Sequence, residues 1–185
     1  MVIAVTTAVI LGGLWLVKGP WRHGDPGQDP SGVTSVDVNV PAGQAVPAVG
    51  GPAADFSATT IAGDTISLSG LLGQPVWLLF GATWCTDCRV EAPDIEAVAQ
   101  AFAGRVQVVA VYVGEDRATV QGYADRLGLT YHQIADTADT IAGNYAVMGI
   151  PAHFFIDANG VIRQISVGAV TQQFATDTLN ALVAG

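Results

Sequence analysis

The chain has 185 residues, half of them hydrophobic and only 12% charged, which suits one domain with an appendage and a substantial core. Sixteen acidic against seven basic side chains leave a net charge of −9, and no Lys/Arg cluster exceeds a pair, so there is no basic face for a nucleic-acid backbone. Two cysteines are too few for a disulfide scaffold.

The first 17 residues, MVIAVTTAVILGGLWLV, carry no charge and end at Lys18. That length is the short limit for a helix crossing a ~30 Å hydrocarbon core. Trp15 and Trp21, with Lys18 and Arg22, have the character of interfacial anchors. No A-x-A-like cleavage site follows, so residues 1–22 are expected to form a retained single-pass membrane anchor. Cations after the run would by themselves place that side in the cytoplasm. Residues 23–53 are rich in Gly, Pro, Asp and Ser and read as a flexible tether.

The folded domain is expected over residues 54–185. FSATTIAGDTISLSG alternates polar and apolar residues around Ala62-Gly63-Asp64, a β-hairpin pattern. PVWLLFGA (75–82) and VQVVAVYV (106–113) are continuous apolar runs of strand length, hence buried strands. Between them, residues 87–104 have helical spacing, with Val90, Ile95, Val98 and Phe102 as the expected inner face and Gly104 as the stop. A helix over 116–129, a short strand YHQI and a helix over 137–149 follow. A strand–turn–strand over 153–168 comes next, with Asn159-Gly160 expected to supply positive φ angles. The chain closes with an amphipathic helix begun by Thr171. The order implies an α/β fold, a mixed central sheet flanked by helices on both faces.

The two cysteines, Cys85 and Cys88, stand in FGATWCTDCRVEAP at the junction of a buried strand and a helix. Unpaired amides and the helix dipole stabilise a thiolate there. C-x-x-C spacing puts the second sulfur within bonding reach of the first, so Cys85 would attack a target disulfide and Cys88 would resolve the mixed disulfide. A structural disulfide closing so small a ring would constrain the unfolded chain little. Zinc would need four ligands, and His23, His132 and His153 show no paired spacing.

WCTDCRVEAP together with GIPAHFFIDANGVI resembles the thioredoxin fold, and within it the TlpA/ResA-like membrane-anchored thiol–disulfide oxidoreductases. The resemblance covers roughly residues 50–185 and maps the family's W-C-x-x-C-x-x-E-x-P pattern onto Trp84, Cys85, Cys88, Glu91 and Pro93. It implies a cis bond between Ile150 and Pro151 beside the sulfurs, and Trp84 covering them. Glu91 becomes the candidate for proton handling near Cys88, and Thr86 and Asp87 shape the loop between the cysteines. The resemblance further implies an extracytoplasmic domain, a membrane thiol donor, exported disulfide proteins such as apocytochrome c as clients, and a monomer. No cofactor beyond the redox-active disulfide and no metal is implied.

This sequence departs from the family at three places. Asp87 stands where proline is usual, and its carboxylate opposes a neighbouring thiolate. Leu79 occupies the position at which ordinary thioredoxins carry a buried acid, and His153 stands where a small polar residue is usual, either near the site or on a surface strand. Two alternatives remain open. A peroxiredoxin-like peroxidase would need Thr three residues before the reactive cysteine, whereas Thr83 is two before Cys85. A copper chaperone would need His153 or His132 beside the cysteine pair.

Overall fold

The computed structural model describes residues 46–184. A hairpin of β1 (Ser57–Thr59) and β2 (Thr65–Ser67) leads into a short helix α1 (Leu68–Leu71). Then follow β3 (Val76–Gly81), α2 (Thr86–Ala101), β4 (Gln107–Val113), α3 (Arg117–Leu127) and β5 (His132–Asp136). The chain ends with α4 (Thr140–Asn144), β6 (Ala152–Ile156), β7 (Ile162–Val167) and α5 (Gln172–Ala184). The five-stranded sheet has the order β5-β4-β3-β6-β7. β3, β4 and β5 are mutually parallel, and β6 and β7 run antiparallel to their neighbours, as a mixed sheet requires.

Every residue of β3 is buried, which explains its unbroken apolar run in the centre of the sheet. Alternate side chains serve two cores. Trp77 and Leu79 pack with α2, α3 and α5 residues such as Ile95, Tyr123 and Leu179. Val76, Leu78 and Phe80 pack with α1 and α4 residues, among them Leu68, Ile141 and Ala142. Burying each large apolar side chain contributes about 1.5–3 kcal/mol.

Several expectations are corrected. Val90 is 73% exposed, and the buried face of α2 is instead Cys88, Glu91, Ala92, Ile95, Glu96 and Val98. That stripe keeps the three- and four-residue spacing of a helix, but polar side chains occupy part of it. Glu96 is held by the Thr130 amide at 2.8 Å and the Thr130 hydroxyl at 2.6 Å, which gives its buried carboxylate donors. The helix expected over 137–149 is only α4, begun where Asp136 accepts from the Thr140 and Ala142 amides. It stops at Tyr145, whose phenol donates to the Ala54 carbonyl at 2.8 Å, and Ala146 turns to φ +49°. In the β6–β7 turn Gly160 has positive φ but Asn159 does not, because Asp157 accepts from the amides of both Asn159 and Val161 and fixes the turn itself. α1 has no sequence-level prediction, being one turn capped by the Ser67 hydroxyl.

The Gly50 amide donates to the Ile162 carbonyl at 2.8 Å and Ala53 to Gly160 at 2.9 Å, so residues 50–53, read as tether, belong to the folded domain. The expected anchor over 1–22 and the tether up to residue 45 lie outside the described residues. Among the described residues no helix is long and apolar enough to cross a membrane.

Candidate active site

β3 ends at Gly81, and three residues carry the chain to Cys85, the N-cap of α2. The approach is pinned from below: Glu115 accepts from the Thr83 amide at 2.8 Å and from the Thr83 hydroxyl at 2.6 Å. The Thr83 hydroxyl is thereby committed to a carboxylate rather than to a cysteine sulfur. Cys85 is in extended conformation at φ −71°, ψ 122°, and its Sγ accepts from the Cys88 amide at 3.3 Å. A sulfur has taken the role that a Ser or Asp oxygen usually plays at a helix start.

Cys85 and Cys88 are joined as a disulfide, with Cα atoms 5.3 Å apart. Each is 9% exposed, and the pair packs on Ala82 and Ile150. Ile150–Pro151 is cis, as the resemblance implied, and Pro151 is buried where the chain enters β6. Gly81 is the feature that sequence reasoning missed. A Cβ there would lie 3.3 Å from Cys88 Sγ, so the strand end approaches the sulfur as only glycine permits without displacement.

Trp84 is 69% exposed beside Cys85, so it belongs to no core. Thr86 and Asp87 face solvent in the first turn of α2. Val90 and Met148 add exposed apolar surface, at 73% and 81%. An open cleft of about 580 Å³ is lined by Thr83, Thr86, Arg89, Val90, Tyr123 and Arg126, so that Thr86, between the cysteines, is part of its wall.

Beneath the disulfide the site becomes buried and polar. Glu91, one helical turn beyond Cys88, is 3% exposed and accepts from the Val170 amide at 3.0 Å. Cys88 and Glu91 line one small void, of about 10 Å³, with Leu79, Gly81, Tyr112, Tyr123 and Tyr131 among its walls. Burial pushes the Tyr112, Tyr123 and Tyr131 phenols above their ordinary 10.0; the Arg89 guanidinium opposes, and the Glu91 carboxylate reinforces, that rise at Tyr123. His153 is not on the surface. It is wholly buried in β6, directly across from Leu79, with Nε2 3.4 Å from Glu91 Oε2. His132, at the start of β5, is half-buried on another strand. Among the described residues no three His, Cys, Asp or Glu side chains gather as metal ligands.

The AhpC/TSA family profile matches residues 49–165. The chain is 36% identical over 127 residues to thiol-disulfide oxidoreductase ResA of Geobacillus kaustophilus, covering 68% of this chain and 73% of that protein. It is likewise 36% identical over 127 residues to thioredoxin-like protein YneN of Bacillus subtilis, covering 67% and 74%. The crystal structure of a thioredoxin-family thiol:disulfide interchange protein from Chlorobium tepidum superposes with a TM-score of 0.67 at 28% identity, covering 74% of this chain and 98% of that one.

Proposed function

We propose, for a chain that belongs to the AhpC/TSA family and is a thiol–disulfide oxidoreductase of thioredoxin-like fold, that it acts as a membrane-tethered reductant of disulfides in exported proteins. The observation that carries the mechanism is the placement of the two sulfurs. Cys85 caps α2 next to Thr86, which lines an open cleft, while Cys88 lies against Gly81 and shares a small void with Glu91. In the dithiol state the amides of the first turn favour a Cys85 thiolate. That thiolate attacks one sulfur of a client disulfide and expels the other as a thiolate, which takes its proton from solvent. Cys88, after giving its proton to Glu91, attacks Cys85 Sγ and releases the client's second thiol. Two electrons leave the dithiol, and the client disulfide gains them.

Trp84, Thr86, Asp87, Ile150 and Pro151 surround the approach to Cys85 and are read as the client-contacting rim. The uncharged run of residues 1–17 and the Gly/Pro-rich stretch after it support an anchored domain on the extracytoplasmic side, fed by a membrane thiol donor. The client class that suits such a reductant is an exported protein with closely spaced cysteines, as in apocytochrome c. The domain is read as a monomer.

Cys85→Ser is expected to abolish disulfide reduction, and Cys88→Ser to accumulate mixed disulfides visible on non-reducing gels. A redox titration of the chain against dithiothreitol, with thiols counted by alkylation, should show one two-electron transition below the glutathione poise. A transition well above that poise would make the protein a disulfide donor and overturn the direction proposed.

A further inference from the structure

A buried histidine that lacks hydrogen bonds calls for a reason. His153 has no exposed surface, and neither Nδ1 nor Nε2 has a hydrogen-bond partner. Leaving a buried polar group unsatisfied costs about 1–3 kcal/mol, so such groups are uncommon in native interiors. Valine would fill a strand position here at no such cost. Next to the ring lies a second group short of donors. Glu91 Oε2 accepts from the Val170 amide and stands 3.4 Å from His153 Nε2, near enough for a charge pair but not aligned as a hydrogen bond. Trp77 Nε1 is also unpartnered, with its ring centroid 6.0 Å from that of His153. The disulfide form thus holds a carboxylate and an imidazole side by side with room for one shared proton.

The other groups facing this pair do not compete for that proton near neutrality. α2 supplies Cys88 and Glu91 themselves, β4 supplies Tyr112, α3 supplies Tyr123, and the chain before β5 supplies Tyr131. All three phenols are held above their ordinary 10.0 by burial. β3 contributes Trp77 and Leu79 and α5 buries only Ala175 and Leu179 on this side of the sheet. Besides Glu91, the charges acting on Tyr123 are Arg89, Glu115 and Arg126.

We infer that His153 is a positioning residue for proton transfer, sharing with Glu91 the proton that Cys88 gives up when it resolves the mixed disulfide. The inference rests on the dithiol reading above. The Cys88 S–H bond breaks and its proton goes to Glu91 Oε2, where Nε2 of His153 takes a share of it. The electron pair left on Cys88 forms the S–S bond with Cys85, and the Cys85–client bond breaks with its pair leaving on the client sulfur. The imidazole gives the carboxylate a partner for the proton inside a region without solvent, where a lone protonated acid would be less well held. In the reverse direction the pair returns that proton to Cys88.

Two measurements test this on the full chain. In the first, 15N-labelled histidine rings are followed by NMR from pH 4 to 9, with the His153 signals assigned by their loss in His153→Gln. The His153 Nε2 resonance should move in Glu91→Gln by more than the Nδ1 resonance does, because the carboxylate lies beside Nε2 at 3.4 Å. An Nε2 resonance indifferent to Glu91→Gln overturns the pairing. In the second, Cys85 is loaded with the thionitrobenzoate of Ellman's reagent, and its release by Cys88 is timed. His153→Gln should slow release about tenfold at pH 7, less than the ~10²–10⁴ typical of a direct general base. In the Glu91→Gln background it should add nothing, because His153 acts only through Glu91. An equal loss in both backgrounds overturns the proposal. If the unmodified chain never releases the probe, the dithiol reading itself fails, while the NMR coupling stands or falls separately.

Discussion

Gly81 sets how closely strand and sulfur can meet. Its Cα hydrogen faces Cys88, and a Cβ would stand 3.3 Å from Sγ and 3.5 Å from the Cys88 Cβ. Gly81→Val adds two further carbons to that contact, which must push α2 away from β3 or turn Cys88 from its rotamer. Overpacking of this kind costs about 1–3 kcal/mol. We expect a lowered urea midpoint and slower release of client thiols in Gly81→Val, with the attack by Cys85 less affected. Asp87 acts by charge rather than shape. It is the only acid in the first turn of α2, one residue before Cys88 and two after Cys85. A carboxylate there supports the helix dipole but opposes thiolate formation, each at about 0.3–1 kcal/mol. Asp87→Asn should therefore raise the alkylation rate of reduced Cys85 at pH 6 by about two- to fivefold, and a fall in that rate would sink the argument. At this scale the sequence was informative where a motif fixes chemistry: Trp84, Cys85, Cys88, Glu91 and Pro151 all stand at or below the disulfide. Gly81 was illegible, and whether His153 lay near the site or on a surface strand stayed open, for a physical reason. A close approach between strand and helix, and the burial of a ring on one strand face, depend on packing across the sheet that no local pattern reports.

The elements follow local chemistry where that chemistry is strong, and the β6–β7 turn shows it. Asp157 Oδ1 accepts from the Asn159 and Val161 amides, each at 2.9 Å, and Oδ2 takes the Arg163 Nε at 2.7 Å. Burial by itself would raise the Asp157 carboxyl, but the Val161 amide, the Arg163 guanidinium and the Asn159 amide outweigh it and hold it below the ordinary 3.8. A carboxyl lowered on folding adds stability that is present above its unfolded value and lost as pH falls through the folded one. Stability should thus decline as pH is lowered through and below 3.8, and Asp157→Asn should flatten that acid limb in urea unfolding series. An acid limb unchanged by the substitution would show that the turn does not hold the charge. Sequence periodicity located β3, β4, β6 and α5 within a residue or two, because long apolar runs and a capping Thr171 are local signals. It overextended α4 because Gly143 and the φ +49° of Ala146 end the helix through the Tyr145–Ala54 contact, a long-range bond. It assigned Val90 to the core because the inner stripe of α2 carries Cys88, Glu91 and Glu96, polar residues whose burial only tertiary partners explain.

For the whole molecule, the direction of electron flow is a difference of stabilities. A dithiol–disulfide pair with the reduced fold the more stable is an oxidant, and one with the oxidised fold the more stable is a reductant, each 30 mV corresponding to about 1.4 kcal/mol. Here the disulfide form satisfies its surroundings: the Cys88 amide donates to Cys85 Sγ, both sulfurs are largely buried, and they pack on Ala82 and Ile150. The reduced form must place two separate thiols in the same space, with Gly81 already at close range to Cys88. A thiolate at Cys88 would stand beside the buried Glu91 carboxylate, and one at Cys85 near Asp87, both unfavourable in a poorly solvated site. These carboxylates oppose the helix dipole, which favours a Cys85 thiolate by about 0.3–1 kcal/mol. The oxidised chain should accordingly unfold at higher urea than the chain held in dithiothreitol, with the slope of the transition unchanged because the surface exposed is the same. Glu91→Gln should narrow the gap between the two midpoints by removing one of the opposing charges. If the reduced chain proves the more stable, the buried carboxylate does not govern the site, and the protein gives disulfides to its clients instead of removing them.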